Sequence, residues 1–165
     1  MVTRWLFEAS GADLFFVCPK RDDRMTNENI IEKMNLALGW ELRAVNMYAH
    51  YSANVRGIHR LQLSPLFNTE MTESLTHADI VRKAIVQLGG IPVTERNSHP
   101  IIHTTNYIDT LNYSLETEAK AAEVYAQLLE LIAKTNEQDL YDSIEQIYLS
   151  ELRSLEELRL LVTES

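Results

Sequence analysis

The sequence predicts an all-α protein, a four-helix bundle built from two helical hairpins that a long crossover joins. The 165 residues contain five Gly and four Pro, a low content that favours a few long helices over many strands and turns. Apolar residues recur at alternating spacings of three and four in four separate stretches, a pattern typical of helices packed on helices. The connections between these stretches are short, long and short, which favours two hairpins over an up-and-down bundle.

Composition limits the classes of function. Apolar residues make up 45% of the chain and charged residues 24%, as in an ordinary soluble domain. The single cysteine, Cys18, excludes an intrachain disulfide and suits a reducing cytoplasm. The net charge of −9 argues against nucleic-acid binding, and no apolar run approaches the roughly 18 residues of a membrane span. We therefore expect a cytoplasmic protein that binds neither nucleic acid nor a membrane.

The first helix is expected to follow an N-terminal extension. Residues 1–24 fit no helix of the repeating pattern, so we expect the bundle to occupy residues 25–165. Thr26 and Asn27 are both capping residues, and the helix is predicted to begin near them and to end before Gly57.

The other three helices have their own boundary signals. Ser64-Pro65 is typical of a cap followed by a first helical position, and Leu88-Gly-Gly-Ile-Pro92 is typical of a helix end. Residues 91–105 show no period and form the long crossover. The third helix is predicted to run from about Asn106 to Lys134, and Thr135-Asn136 forms the turn to the fourth.

Each predicted helix carries a side chain of metal-ligand type within its apolar seam, and the second helix carries Glu70 there as well. Burying a lone carboxylate costs on the order of several kcal/mol, so each such acid needs a base, a proton or a metal beside it. No Lys or Arg lies on the seams, and converging carboxylates repel one another. Oxygen with imidazole ligation suits iron or manganese. The four candidate metal ligands are Glu41, His77, Glu118 and Glu151.

Other interpretations of these residues remain open. A single seam Glu is often a carboxylate that reaches solvent, and a single seam His is often a hydrogen-bonded core residue; four together, one per helix, favour a metal. Tyr48 and Tyr125 each lie seven residues after a seam Glu. Each tyrosine either fills the core or forms a hydrogen bond to a ligand.

From about Ile30 to Leu161 the chain resembles the bacterioferritin branch of the ferritin-like family. That family holds two irons with one Glu from each of two helices and a Glu-x-x-His motif from each of the other two. The segments that carry the resemblance are Leu36-Ala-Leu-Gly-Trp-Glu-Leu-Arg-Ala-Val-Asn-Met-Tyr48, His77-Ala-Asp79 and Leu88-Gly-Gly-Ile-Pro92, together with Glu118 and Glu151.

The resemblance implies a role for each seam residue. Glu41 and Glu118 match the two single glutamates, His77 matches the histidine of the first motif, and Glu151 matches the glutamate of the second. Two of the six ligand positions differ from the family pattern. The first motif reads Ser74-Leu-Thr-His77 and the second reads Glu151-Leu-Arg-Ser154, so a serine replaces one glutamate and one histidine.

The two replacements weaken the second metal position. Additional contacts from Glu70, Glu73, Ser74 or Ser154 are the remaining candidates there. Leu75 stands where a haem-ligating methionine is expected, so haem is not supported.

The resemblance implies an iron-binding protein for iron storage or detoxification, with one or two non-haem irons per subunit in a partly degenerate di-iron centre. It further implies a homo-oligomer, or a mixed oligomer with a paralogue. Ferroxidase activity stays open because two ligands are missing. A non-catalytic structural or assembly subunit is the alternative, and a DNA-protecting stress ferritin is a weaker one.

Overall fold

The described part of the chain forms a bundle of four long helices. The computed structural model describes the backbone of residues 6–8, 15–17 and 21–162, and the side chains of residues 26–162. Helix α1 packs against α2 and α3, and α4 packs against α3 and α2, which confirms the predicted pair of hairpins. The helices are α1 (Arg21–Asn54), α2 (Arg60–Gln87), α3 (Tyr107–Ile132) and α4 (Gln138–Val162).

Two short strands precede the bundle. The strands β1 (Leu6–Glu8) and β2 (Phe15–Val17) pair in antiparallel fashion. Most of the rest of the predicted extension, residues 1–24, lies outside the described residues. The expectation that no part of it is helical is wrong at its end, because α1 begins at Arg21. The sequence Arg21-Asp-Asp-Arg contains no helix breaker and carries acidic residues suited to a first turn, so the helix starts before the predicted caps.

The start of α2 also differs from the prediction. The helix begins at Arg60, so Pro65 lies inside it. A turn after Gly57, whose φ is 67°, leads into the helix through hydrogen bonds such as that from the Arg60 amide to the Gly57 carbonyl, 3.2 Å long. Because proline has no amide hydrogen, Pro65 cannot donate the helical hydrogen bond to the Leu61 carbonyl. Leu61 is 73% exposed, so water can reach that carbonyl and the proline is tolerated near the helix start.

Two other predicted boundaries are confirmed. Helix α2 ends with Gly89 at a φ of 80°, and the amides of Gly89 and Gly90 bond back to Val86 and Ile85 at 2.9 and 2.8 Å. Helix α3 begins after Asn106, whose side chain accepts a 2.9 Å hydrogen bond from the Ile108 amide.

Hydrogen bonds hold the crossover between α2 and α3 against the side of α1. Because it runs the length of that helix, it carries the chain from one end of the bundle to the other. The fastening bonds are Asn35 Nδ2 to the Ile91 carbonyl (3.1 Å), Asn97 N to the Gly39 carbonyl (2.7 Å), Arg43 Nη2 to the Pro100 carbonyl (2.8 Å) and Tyr51 Oη to the Ile102 carbonyl (3.0 Å).

A polar layer divides the buried core into two apolar clusters. One cluster includes Leu38 of α1, Ala78 of α2 and Ala121 of α3, and the other includes Ala44, Phe67 and Leu111 on the same three helices. The seam Glu or His of each helix lies between its contributions to the two clusters. No helix in the described part of the chain has the length and apolar character that crossing a membrane requires.

Candidate metal centre

Three of the four predicted ligands converge in the polar layer. Glu41, His77 and Glu151 come from three different helices, and each offers a ligand atom within 4.8 Å of the others. His77 Nδ1 lies 2.9 Å from Glu151 Oε1 and 3.5 Å from Glu41 Oε1. Glu41 is 1% exposed, His77 9% and Glu151 3%. Two carboxylates and an imidazole therefore face one another away from bulk water.

Two atoms of this group lack a hydrogen bond. Neither His77 Nδ1 nor Glu151 Oε2 has a partner of acceptable geometry, although Nδ1 lies close to Glu151 Oε1. Two ligand atoms that bind one ion at about 2.1 Å and at right angles are about 3 Å apart. The 2.9 Å separation thus has the spacing of two ligands of a shared ion and lacks the alignment of a hydrogen bond. The residues present fit a divalent metal.

The ionisation of His77 shows how a proton balances the negative charges of Glu41 and Glu151 in the metal-free protein. Burial lowers the pKa of His77, but the close approach of the Glu151 and Glu41 carboxylates, whose negative charges favour the protonated ring, outweighs it and raises the pKa to about 10. Burial raises the pKa of Glu41. When no metal is bound, protonated His77 is therefore the cation that balances the buried carboxylates. The sequence alone did not determine which partner these carboxylates have.

Glu118 lies beside this group and outside it. Glu118 is 3% exposed. Among the described residues, it is not part of any group of three metal-ligand side chains whose ligand atoms all lie within 4.8 Å of one another. Its carboxyl lies close to that of Glu151, and burial, then the charge of Glu151, raises the pKa of Glu118 well above the usual range. Glu151 thus contacts both the His77 group and Glu118, in a position to be shared by two sites.

The two tyrosines reach across the bundle. Tyr125 of α3 donates a 2.6 Å hydrogen bond to Glu41 of α1, and Tyr48 of α1 donates a 2.5 Å hydrogen bond to Glu118 of α3. Both rings are fully buried, so each tyrosine fills the core and also holds a carboxylate. Because α1 and α3 run antiparallel, the tyrosine that follows the seam glutamate of one helix lies beside the seam glutamate of the other helix and forms a hydrogen bond to it.

The four additional candidates divide between the interior and the surface. Ser74, Ser154 and Glu70 are 5%, 8% and 7% exposed. Burial, followed by the charge of Glu118, raises the pKa of Glu70 to about 7, although the nearby Ser154 opposes this rise. Glu73 is exposed and accepts a 3.4 Å bond from Ser150. Glu70 is therefore the candidate that reaches the polar layer.

Buried Arg43 is a feature that the seam pattern did not reveal. Its side chain is off the seam yet the residue is only 3% exposed. The guanidinium donates to the carbonyls of His99 and Pro100 and, at 2.6 Å, to Thr117 Oγ1. Arg43 thus fixes the crossover and does not pair with the acids of the polar layer. The crossover carbonyls and Thr117 accept hydrogen bonds from the buried guanidinium, and no pattern in the sequence identifies these partners.

Solved structures provide fold neighbours. A ferritin-like, diiron-carboxylate protein from Bacillus anthracis is 29% identical, with a TM-score of 0.80 over 84% of this chain and 98% of that one. The dodecameric thioferritin, a bacterioferritin-related protein from Bacteroides fragilis, is 22% identical, with a TM-score of 0.72 over 81% and 83%. The Desulfovibrio desulfuricans bacterioferritin is 19% identical, with a TM-score of 0.78 over 87% and 82%.

The family follows from the sequence match. No curated protein sequence matches the chain. The family model described as the ferritin-like domain matches residues 31–164, which includes the whole polar layer and all four helices except the start of α1. The chain therefore belongs to the ferritin-like domain family.

Proposed function

We propose that this protein binds iron in its polar layer and serves in iron storage or detoxification, as a bacterioferritin-like protein. The observation that carries the proposal is the convergence of Glu41, His77 and Glu151, with two buried ligand atoms lacking hydrogen-bond partners. The Bacillus anthracis neighbour, described as a diiron-carboxylate protein, supports iron over other divalent metals. In this proposal Fe(II) is the substrate, and oxygen or peroxide is the oxidant.

The two metal positions are unequal in this proposal. Glu41, His77 and Glu151 supply two carboxylates and an imidazole to one ion, a set that suits iron. The second position keeps Glu118 and a share of Glu151, with Glu70 nearby, while Ser74 and Ser154 stand where the family has a glutamate and a histidine. The centre is thus partly degenerate, and we expect one firmly bound iron per subunit and a second, weaker one.

The protonation of the ligand side chains controls how readily iron binds. Metal ligands must be deprotonated, so an ion that enters displaces the proton of His77 and protons held by the buried acids. The raised pKa values of Glu41, Glu118 and Glu151 mean that this displacement becomes easier as the pH rises. Tyr48 and Tyr125 hold the carboxylates in place during the exchange. We expect iron affinity to increase with pH.

Assembly and location belong to the same proposal. The Bacteroides fragilis neighbour is described as dodecameric, and we propose that this chain also forms a homo-oligomer, or a mixed oligomer with a paralogue, in the cytoplasm. Light scattering of the purified protein tests the assembly, because a monomer would contradict it.

A structural subunit is the second candidate function. Its specific support is the His77–Glu151 contact of 2.9 Å, which balances the acids with an imidazolium and without any metal. The serines at positions 74 and 154 are consistent with a centre that has lost its chemistry. This candidate predicts a folded oligomer that binds no iron.

An anaerobic Fe(II) titration followed by oxygen separates the two functions. We expect saturable binding and then an increase in near-ultraviolet absorbance faster than in buffer. Glu41→Gln removes a buried ligand and should abolish the binding, whereas Glu32→Gln makes the same change at an exposed position of α1 and should not. An unsubstituted protein that neither binds Fe(II) nor accelerates its oxidation would exclude the iron-handling function and favour the structural one.

A further inference from the structure

Two histidines meet on the outside of the bundle, away from the buried centre. His50 lies on α1, and His103 lies on the crossover. His50 Nε2 is 3.0 Å from His103 Nδ1, and the two rings stand edge to face at 73° with their centroids 5.2 Å apart. His50 follows Glu41 by nine residues, or about 13 Å along a helix at 1.5 Å per residue. The pair is therefore distinct from the polar layer.

The pair is held in place from both sides. The Tyr51 hydroxyl donates a 3.0 Å bond to the carbonyl of Ile102, which fixes the crossover next to His103. Asn54 donates a 2.8 Å bond to the His50 carbonyl, while its amide lies 3.4 Å from His50 Nδ1. His103 is exposed and His50 is partly exposed. The two facing nitrogens are thus positioned before any ligand binds, and water can occupy further coordination positions.

The chemistry of the two nitrogens favours a particular class of ion. A hydrogen bond between the two facing nitrogens requires an N–H on one ring and a lone pair on the other. A metal can replace that proton if it moves to the other nitrogen of the same ring. Tetrahedral ligands at about 2.05 Å would be about 3.3 Å apart, whereas ligands at right angles would be about 2.9 Å apart. The observed 3.0 Å is the hydrogen-bond distance of the metal-free pair and lies near both values, so the choice of ion follows from affinity: among divalent first-row metals Ni(II) and above all Cu(II) bind nitrogen ligands tightly.

We propose that His50 and His103 form a surface site for a divalent metal of tetragonal geometry, Cu(II) or Ni(II). The two imidazole nitrogens occupy adjacent positions in the ligand plane, and water completes the coordination. The two nitrogens already lie side by side, and only a small rotation of the exposed His103 ring is needed to direct both lone pairs at one ion. This site is independent of the iron-binding function, because it uses no residue of the polar layer.

Copper(II) titration of the full chain tests the site. We expect His103→Asn to weaken Cu(II) binding by about tenfold or more, because the loss of a ligand costs at least as much as the loss of a supporting residue. His99→Asn is the matched control, since it makes the same change at an exposed position of the same crossover and should leave the affinity within about twofold. Electron paramagnetic resonance of the protein with one equivalent of Cu(II) should show an axial signal with two nitrogen ligands.

A background variant separates this site from the buried centre. His77→Gln removes the only imidazole of that centre, and the two-nitrogen copper signal should persist in it. Equal Cu(II) affinities for His103→Asn and His99→Asn would overturn the proposal, as would a signal that is absent from His77→Gln protein whose helical circular dichroism shows that it is folded. If the copper site persists while Fe(II) binding is absent, only the proposed iron function fails.

Discussion

Replacing Glu70 by Gln should stabilise the metal-free protein at high pH. Burial raises the pKa of this carboxyl from its ordinary value of 4.5 to about 7, so the folded protein holds a proton that the unfolded chain releases. Between these two pKa values unfolding releases a proton, and the stability of the folded state therefore decreases as the pH rises through this range. The glutamine amide does not titrate, so the Glu70→Gln variant lacks that decrease.

The size of the effect follows from the two pKa values. A pKa difference of about 2.5 corresponds to about 3.4 kcal/mol at about 1.4 kcal/mol per unit, and about 2.5 kcal/mol of it develops between pH 5 and pH 8. Glu70 is 7% exposed, so solvent screens it little. We expect the advantage of Glu70→Gln over the unsubstituted protein to be about 2–3 kcal/mol larger at pH 8 than at pH 5.

Guanidinium denaturation in the presence of a chelator measures this difference at both pH values. Glu73→Gln is the control, because it removes the same charge from an exposed position on the same helix and should change the stability by less than about 0.5 kcal/mol. A Glu70→Gln advantage that is equal at pH 5 and pH 8 would refute the reasoning. It would mean that Glu70 is as well solvated in the folded protein as in the unfolded chain.

The remaining predictions concern the polar layer. His77→Gln leaves Glu41 and Glu151 buried without a cation, so thermal or chemical denaturation of the metal-free protein should show a loss of about 3–5 kcal/mol at neutral pH. The same variant should not bind Fe(II) in an anaerobic titration; intact binding would exclude His77 as a ligand. The double variant Ser74→Glu and Ser154→His should raise metal affinity, measured by calorimetry, because it restores a glutamate and a histidine to the family's ligand positions. An unchanged affinity would show that positions 74 and 154 do not face the ion.

The sequence by itself determined the helices and the residues that face the interior. Seam spacing depends only on helical geometry, so it identified the buried face of each helix and the carboxylates on it. Local signals were equally informative where the chain has no competing option, as at the Asn106 cap and the Gly89 helix end. The identity of the bound metal, and whether one binds, stays a prediction.

Only the tertiary structure decided which buried groups meet. Helical period does not specify a neighbouring helix, so it could not show that Tyr125 binds Glu41, a contact that depends on the antiparallel packing of α1 and α3. Seam spacing placed Glu70 on the inward face of α2 and Glu73 one position off it, but it could not show that Glu70 interacts with Glu118 of α3. The burial of Arg43 likewise depends on the path of the crossover. These features arise from contacts between residues that are distant in sequence. The spacing of residues within one helix carries no information about such contacts.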